Sequence, residues 1–167
     1  KKDSATAIKK LKQRGIHCVM LTGDRSEIAE TFAESFGITE VHAEVLPSEK
    51  AGIISRYQDR GEIVAMVGDG INDAPALTQA DVGIALGTGT DIAMESGDIV
   101  LVKGDLAGVV RTAILAEATF KKIKQNLFWA FIYNVIAIPL AFLGLLHPVI
   151  AEGAMALSSI NVVWNSN

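Results

Sequence analysis

The chain has 167 residues, a net charge of −4 with histidines neutral, a hydrophobic fraction of 50% and one cysteine. That length suits one domain or part of a larger protein, the charge is too mild for a nucleic-acid partner or an acidic tail, and a single cysteine excludes an internal disulfide and fits a reducing compartment. All fifteen Lys and Arg lie at or before Lys124, and Glu152 is the only acidic residue after it. The chain therefore divides into a charged, soluble-type part and a nearly uncharged part. Its first twelve residues are charged throughout, unlike a signal peptide, and with no initiator Met the sequence reads as a fragment.

In chain order, residues 4–14 predict an amphipathic helix with Ala5, Ile8 and Leu11 at helical spacing and Gly15 ending it. A strand is expected at 16–21, ending at Thr22, Gly23 and Asp24. Ser26 then caps a helix to Phe36, with Ile28, Ala29, Phe32, Ala33 and Phe36 on one face, and Gly37 closes it. A short strand at 40–44 leads to a helix at 48–60 capped by Ser48 and closed by Gly61. A strand at 63–67, a short helix at 75–80, a strand at 82–86, a helix start at 91–95 and a strand at 99–102 follow. Alternating strands and helices mean βαβ units and a parallel sheet. Cys18 sits among apolar neighbours and reads as a core residue.

The stretch GDGINDAP, residues 68–75, follows an apolar run and precedes an apolar-periodic one. It reads as strand, tight turn and helix start, with Asp69 and Asp73 at the carboxyl end of a strand, where open α/β sheets bind ligands. Two carboxylates across a turn suit Mg2+; they equally suit an Asx turn with an N-cap. Thr22, Gly23 and Asp24 precede a helix amino terminus, a place for an anion or for a capped turn. Lys50, in the first turn of a helix, opposes the helix dipole and calls for a partner: a phosphoryl oxygen, Glu49 or solvent. Three strand ends in βα order bring Thr22, Lys50 and the Asp69/Asp73 pair to one edge. Together they suit phosphoryl transfer, in which positioning and charge neutralisation supply most of the catalysis.

After residue 105 the pattern changes. Residues 106–126 predict a stalk helix, 127–146 an uncharged transmembrane helix, and 149–167 a second, truncated one. Lys121, Lys122 and Lys124 place the amino-terminal side in the cytoplasm. Polar and soft groups within spans are candidates for function. Tyr133 and Asn134 lie in the first span; Met155 and Ser159, four apart, share a face of the second. A thioether suits Cu(I), although Met also fills gaps and Asn or Ser also joins helices.

MLTGD at 20–24, LPSEK at 46–50 and MVGDGINDAPAL at 66–77 together resemble the phosphorylation domain of P-type ATPases, a branch of the haloacid-dehalogenase-like superfamily. GIALGTGTDIAME at 83–95 resembles the heavy-metal-transporting branch, and Tyr-Asn followed by Met-x-x-Ser-Ser resembles the last two helices of its copper members. The zinc and cadmium members carry a lysine and an aspartate in those helices, and this chain has neither. The resemblance implies an α/β, partial Rossmann-like parallel sheet at 1–105, then a long stalk helix and two transmembrane helices. It implies that Thr22 and Gly23 contact a phosphoryl group and that Lys50 neutralises it. Asp69 would help hold Mg2+, with Asp24, Asn72 and Asp73 supporting the site. It places Tyr133, Asn134, Met155 and Ser159 on a Cu(I) path. The implied whole is an ATP-driven, Mg2+-dependent Cu(I) exporter in the cell membrane, coupled through the stalk. Its partners are membrane lipid, the remaining domains of the same ATPase and a copper chaperone, with no nucleic acid. The zinc or cadmium pump and an inert membrane-anchored fragment are the alternatives. The family's phosphorylated aspartate lies in an Asp-Lys-Thr-Gly-Thr motif, which this sequence lacks, as it lacks a Cys-Pro-Cys helix. The chain alone is therefore expected neither to phosphorylate itself nor to hydrolyse ATP, and to be unstable.

Overall fold

The computed structural model describes residues 2–69, 71–87, 96–145 and 148–166. The expected helix start at 91–95, Gly70 of the glycine-aspartate motif, most of the second half of the 83–95 motif, and residues 146–147 lie outside them. The chain forms two compact units, Lys1–Thr112 and Ala113–Asn167.

The first unit alternates helices and strands: α1 (Lys2–Lys12), β1 (Val19–Leu21), α2 (Ser26–Ser35), β2 (Glu40–His42), α3 (Pro47–Gln58), β3 (Ala65–Gly68), a 3-10 turn (Ile71–Asp73), α4 (Ala74–Gln79), β4 (Val82–Leu86) and β5 (Ile99–Leu101). Every strand pairing is parallel, as the alternation requires. Two sheets form, however, where one was expected: β1–β2, and β3–β4–β5. Among the described residues β1 pairs only with β2, and β3 only with β4. The open edge is visible in burial. Ile63, expected within a strand, is 87% exposed, and the strand starts at Ala65.

Gly15, Gly37 and Gly61 end α1, α2 and α3 at positive φ, as read from the sequence. The caps differ from expectation. Arg25, not Ser26, is the N-cap of α2, and Leu46, not Ser48, that of α3. Glu49 reaches back to accept from the Leu46 N–H at 3.0 Å, the half of a capping box that an apolar N-cap permits. In α2 the buried stripe narrows to Ala29 and Ala33, while Ile28 and Phe32 remain 49% and 56% exposed. Phe32 stacks on Phe36 along the helix instead.

One core cluster joins Ile8, Ala33 and Ile38, with Cys18, Met20, Phe36, Val41 and Leu106 against it. Burial pushes the Cys18 thiol up, against a smaller opposing influence of Lys12, which suits a core residue. A second cluster packs Leu77 and Ala85 with Met66 beneath α4. A polar brace ties the start of β2 to α3. The Tyr57 hydroxyl donates to Glu40 Oε1 at 2.5 Å, His42 Nε2 meets that hydroxyl at 2.8 Å, and His17 Nε2 lies 2.7 Å from Glu40 Oε2.

The second unit contains most of α5 (Leu106–Phe142) and all of α6 (Pro148–Ser166). One continuous helix covers both the stretch expected as a stalk and most of the stretch expected as a span. Loss of charge is not a backbone signal, and no Gly or Pro falls between Gly108 and Pro139. Pro139 lies inside the helix, which ends at Phe142, short of the expected 146, and Gly144 follows at φ 70°. Among the described residues α5 is the one helix long and apolar enough to cross a membrane. Three bonds set α6 antiparallel to α5: Lys122 Nζ to the Asn165 carbonyl (2.5 Å), Asn165 Nδ2 to Asn126 Oδ1 (2.8 Å) and Asn161 Nδ2 to the Tyr133 hydroxyl (2.7 Å).

Candidate active site

The loops at the carboxyl ends of β1, β2 and β3 carry the residues singled out in the sequence. After β3, Gly68 and Asp69 lead to the 3-10 turn that presents Asn72 and Asp73. Among the described residues Asp73 is the one buried charged residue, at 9% exposure. Its Oδ1 accepts from Lys50 Nζ at 2.6 Å, with both side chains nearly covered (13% and 12% exposed). Lys50 stands in the first turn of α3, so this carboxylate is the partner that its place against the helix dipole called for. Glu49, the alternative, is occupied by Leu46.

Gly68 is required by this arrangement. A Cβ there would lie 2.6 Å from Asp73 Cβ and 2.9 Å from Oδ2, so only glycine lets the strand end pack against that side chain. Asp69 and Asn72 are exposed, and among the described residues Asp69 makes no ion pair or hydrogen bond. The two aspartates thus differ. Asp73 is the counter-ion and anchor of Lys50, whereas Asp69 offers a free carboxylate. Of the two carboxylates expected at the Mg2+ site, Asp73 is paired with Lys50, and Asp69 has no such partner among the described residues. A single open carboxylate still suits Mg2+, which takes one or two carboxylates and fills its other positions with water or phosphate oxygens.

At the end of β1, the Thr22 hydroxyl donates to Asp24 Oδ2 at 2.9 Å and accepts from the Asp24 N–H at 3.1 Å. Gly23 and Asp24 are exposed. Here the structure has the capped turn, with Thr22 and Asp24 engaged with each other. The described contacts join Lys50 to Asp73 and Thr22 to Asp24; no hydrogen bond among the described residues joins one pair to the other.

Among the described residues no side-chain-to-side-chain hydrogen bond joins Tyr133, Asn134, Met155 and Ser159 to one another. Asn134 Nδ2 donates to the Ala130 carbonyl at 2.9 Å and Ser159 Oγ to the Met155 carbonyl at 3.2 Å, so both serve their own helices. The Met155 side chain is 73% exposed. Tyr133 instead meets Asn161, which the sequence reading passed over along with Asn126 and Asn165. A signal for them existed: 161 and 165 are four apart and 126 and 133 seven apart, each pair on one helical face.

A haloacid dehalogenase-like hydrolase family model matches residues 1–81. The chain is 54% identical to a probable copper-importing P-type ATPase A of Enterococcus hirae, over 99% of this chain and 23% of that protein. It is 56% identical to a copper-exporting P-type ATPase of Staphylococcus epidermidis, over 99% of this chain and 21% of that one. Nearly the whole chain is thus homologous to a segment of P-type ATPases. A crystal structure of a zinc-transporting PIB-type ATPase in its E2.Pi state superposes on this chain with a TM-score of 0.92 and 38% identity, covering 99% of this chain and 27% of that one. The chain thus spans between a fifth and a quarter of the length of the curated relatives named here. The haloacid-dehalogenase-like character of the first unit and the presence of a long apolar helix after it are as the motifs implied.

Proposed function

We propose that this chain supplies the Mg2+- and phosphate-binding half of the phosphorylation site of an ATP-driven Cu(I)-transporting P-type ATPase, together with part of its membrane path. The observation that carries the reading is the nearly buried Lys50–Asp73 pair beside Gly68, with Asp69 left open at the same strand end. A lysine held by a carboxylate keeps its charge and its aim, as recognition of a phosphoryl group requires. Thr22 exchanges its bond to Asp24 for a phosphoryl oxygen, and the Gly23 backbone leaves room for that oxygen. Asp69 holds Mg2+, and Asn72 steadies the turn that carries it. Mg2+, when bound, neutralises charge on the transferring phosphoryl group.

The aspartate that becomes phosphorylated comes from a strand outside these residues. The sides of β1 and β3 that have no strand partner among the described residues support this, because a strand seated between them would close one parallel sheet and bring its end level with Thr22, Lys50 and Asp69. The isolated chain is accordingly inactive, and phosphate that is acid-stable and hydroxylamine-labile on it after ATP treatment would contradict this. In the membrane, Tyr133, Asn134, Met155 and Ser159 line the Cu(I) path, with α6 as the second span and the first unit in the cytoplasm. The importing and exporting relatives match almost equally, so direction forms no part of the proposal.

A second reading, a zinc pump, draws on the 0.92 superposition with a zinc-transporting structure. Greater identity to copper relatives, and the absence of a lysine and an aspartate at the expected places in the two helices, favour copper. ATPase activity of the full-length parent, assayed with Cu(I) and with Zn2+, separates the two: stimulation by Cu(I) alone is expected, and stimulation by Zn2+ alone would reverse the metal assignment.

A further inference from the structure

Among the described residues, Glu44 is the one non-glycine residue at positive φ, 57°. Side chains disfavour this left-handed conformation and glycine adopts it freely, so a glutamate persists there only if its surroundings hold it. Two sets of contacts hold it. Its N–H donates to the Asp24 carbonyl at 2.9 Å, while the next amide, of Val45, donates to the Thr22 carbonyl at 3.1 Å. Its carboxylate Oε1 lies 3.3 Å from the Ser26 N–H and 3.5 Å from Ser26 Oγ. Ser26 is the first residue of α2, whose own N-cap, Arg25, gives no side-chain bond. Glu44 therefore caps α2 from another loop and complements its positive end.

The left-handed turn at Glu44 aims successive amides at Asp24 and Thr22, and the carboxylate then clamps the far end of the same loop. Three residues on, the chain enters α3, which carries Lys50 in its first turn. The Thr22, Gly23, Asp24 loop and the Lys50 helix are thus joined through one residue. We propose that Glu44 is a positioning residue for phosphoryl transfer: its carboxylate on Ser26 sets the Thr22 loop at a fixed separation from Lys50. This rests on the assignment of Thr22 and Lys50 to the phosphoryl group.

The test is Mg2+-dependent phosphorylation of the full-length parent ATPase by inorganic phosphate, read as the phosphate concentration for half-maximal phosphoenzyme. Glu44→Ala raises that concentration by about tenfold, the scale of a small misplacement of a binding group. Glu44→Gly, which relaxes the backbone but removes the carboxylate, behaves as Glu44→Ala; Glu44→Gln, which keeps an acceptor oxygen, returns to within about twofold of the parent. The ATP concentration for half-maximal phosphorylation stays unchanged in all three. A mere folding defect lowers the amount of phosphoenzyme without moving either concentration, and that result overturns the inference, as does parent-like phosphate dependence in Glu44→Gly. Lys50→Ala is the control. If Lys50→Ala loses phosphate dependence and Glu44→Ala keeps it, the positioning role alone fails. If Lys50→Ala itself behaves as the parent, the assignment of the site fails.

Discussion

Among the described residues the first unit has one buried charged residue, Asp73, and matches it with Lys50 at 2.6 Å; the second unit turns apolar side chains such as Phe131 and Val135 outward and gives its asparagine amides partners across a helix pair, Asn165 with Asn126 and Asn161 with the Tyr133 hydroxyl. With α5 and α6 in a membrane, as proposed, the contrast is one of solvent. In water, apolar groups go inside and a charge can be covered only with its partner. In a bilayer, apolar groups face lipid without cost and the polar groups must find partners within the protein. The same chain thus places a full charge pair where phosphate chemistry would use it, and along the helix pair it uses neutral hydrogen bonds at Asn126 and Tyr133, with the Lys122 ammonium only near the start of the uncharged stretch.

Removing the charge partner breaks the first arrangement most severely. Asp73→Ala leaves Lys50 covered and uncompensated, and is expected to cost the full-length ATPase about 3–5 kcal/mol in stability, read as a drop in thermal midpoint in detergent, with loss of phosphoenzyme. The double change Asp73→Leu with Lys50→Met recovers stability without recovering phosphorylation. A smaller loss follows from overpacking: Gly68→Ala is expected to cost about 1–3 kcal/mol, because its Cβ would stand 2.6 Å from Asp73 Cβ. The second arrangement is softer. Asn161→Ala removes one bond between α5 and α6 at a cost of about 0.6 kcal/mol, and an equal loss from Tyr133→Phe, with no additivity in the double variant, identifies that bond as the cause.

The least effect is expected from the brace beside α3. The Tyr57 hydroxyl, then His17, hold Glu40 below the usual carboxylate range, and burial, then Glu40, push Tyr57 up to about 12. A lowered carboxylate stabilises above its ordinary value and loses that contribution as pH falls through the folded one; a raised phenol stabilises below pH 10 and loses its contribution as pH rises towards 12. Tyr57→Phe should flatten stability in the alkaline window and shrink the acid loss, both measured by chemical denaturation against pH.

Local signals carried far in the sequence. Alternating periodicities located all five strands and the helices within the described residues, and three glycines ended three helices where expected. What the sequence concealed was non-local. Lys50 and Asp73 are 23 positions apart, and nothing in either neighbourhood says that they meet rather than both facing a ligand. Ile28 and Phe32 lie on an apolar face by spacing, but whether a neighbour covers it depends on packing that no helical period encodes. The joint between stalk and span was inferred from charge, which reports the surroundings of a helix and not its continuity. Glu44 had no signature, since a left-handed glutamate in a loop is a product of its contacts.

The central claim, that this chain presents Lys50 and Asp69 to a phosphoryl group on an aspartate supplied from elsewhere in the parent ATPase, is tested most directly by phosphoenzyme formation from ATP in the full-length protein. Asp69→Asn, and the double change Lys50→Met with Asp73→Leu that leaves no uncompensated charge, are expected to abolish Mg2+-dependent, hydroxylamine-labile labelling while leaving the protein folded and membrane-inserted. Labelling at the level of the unmodified protein in both variants would contradict it.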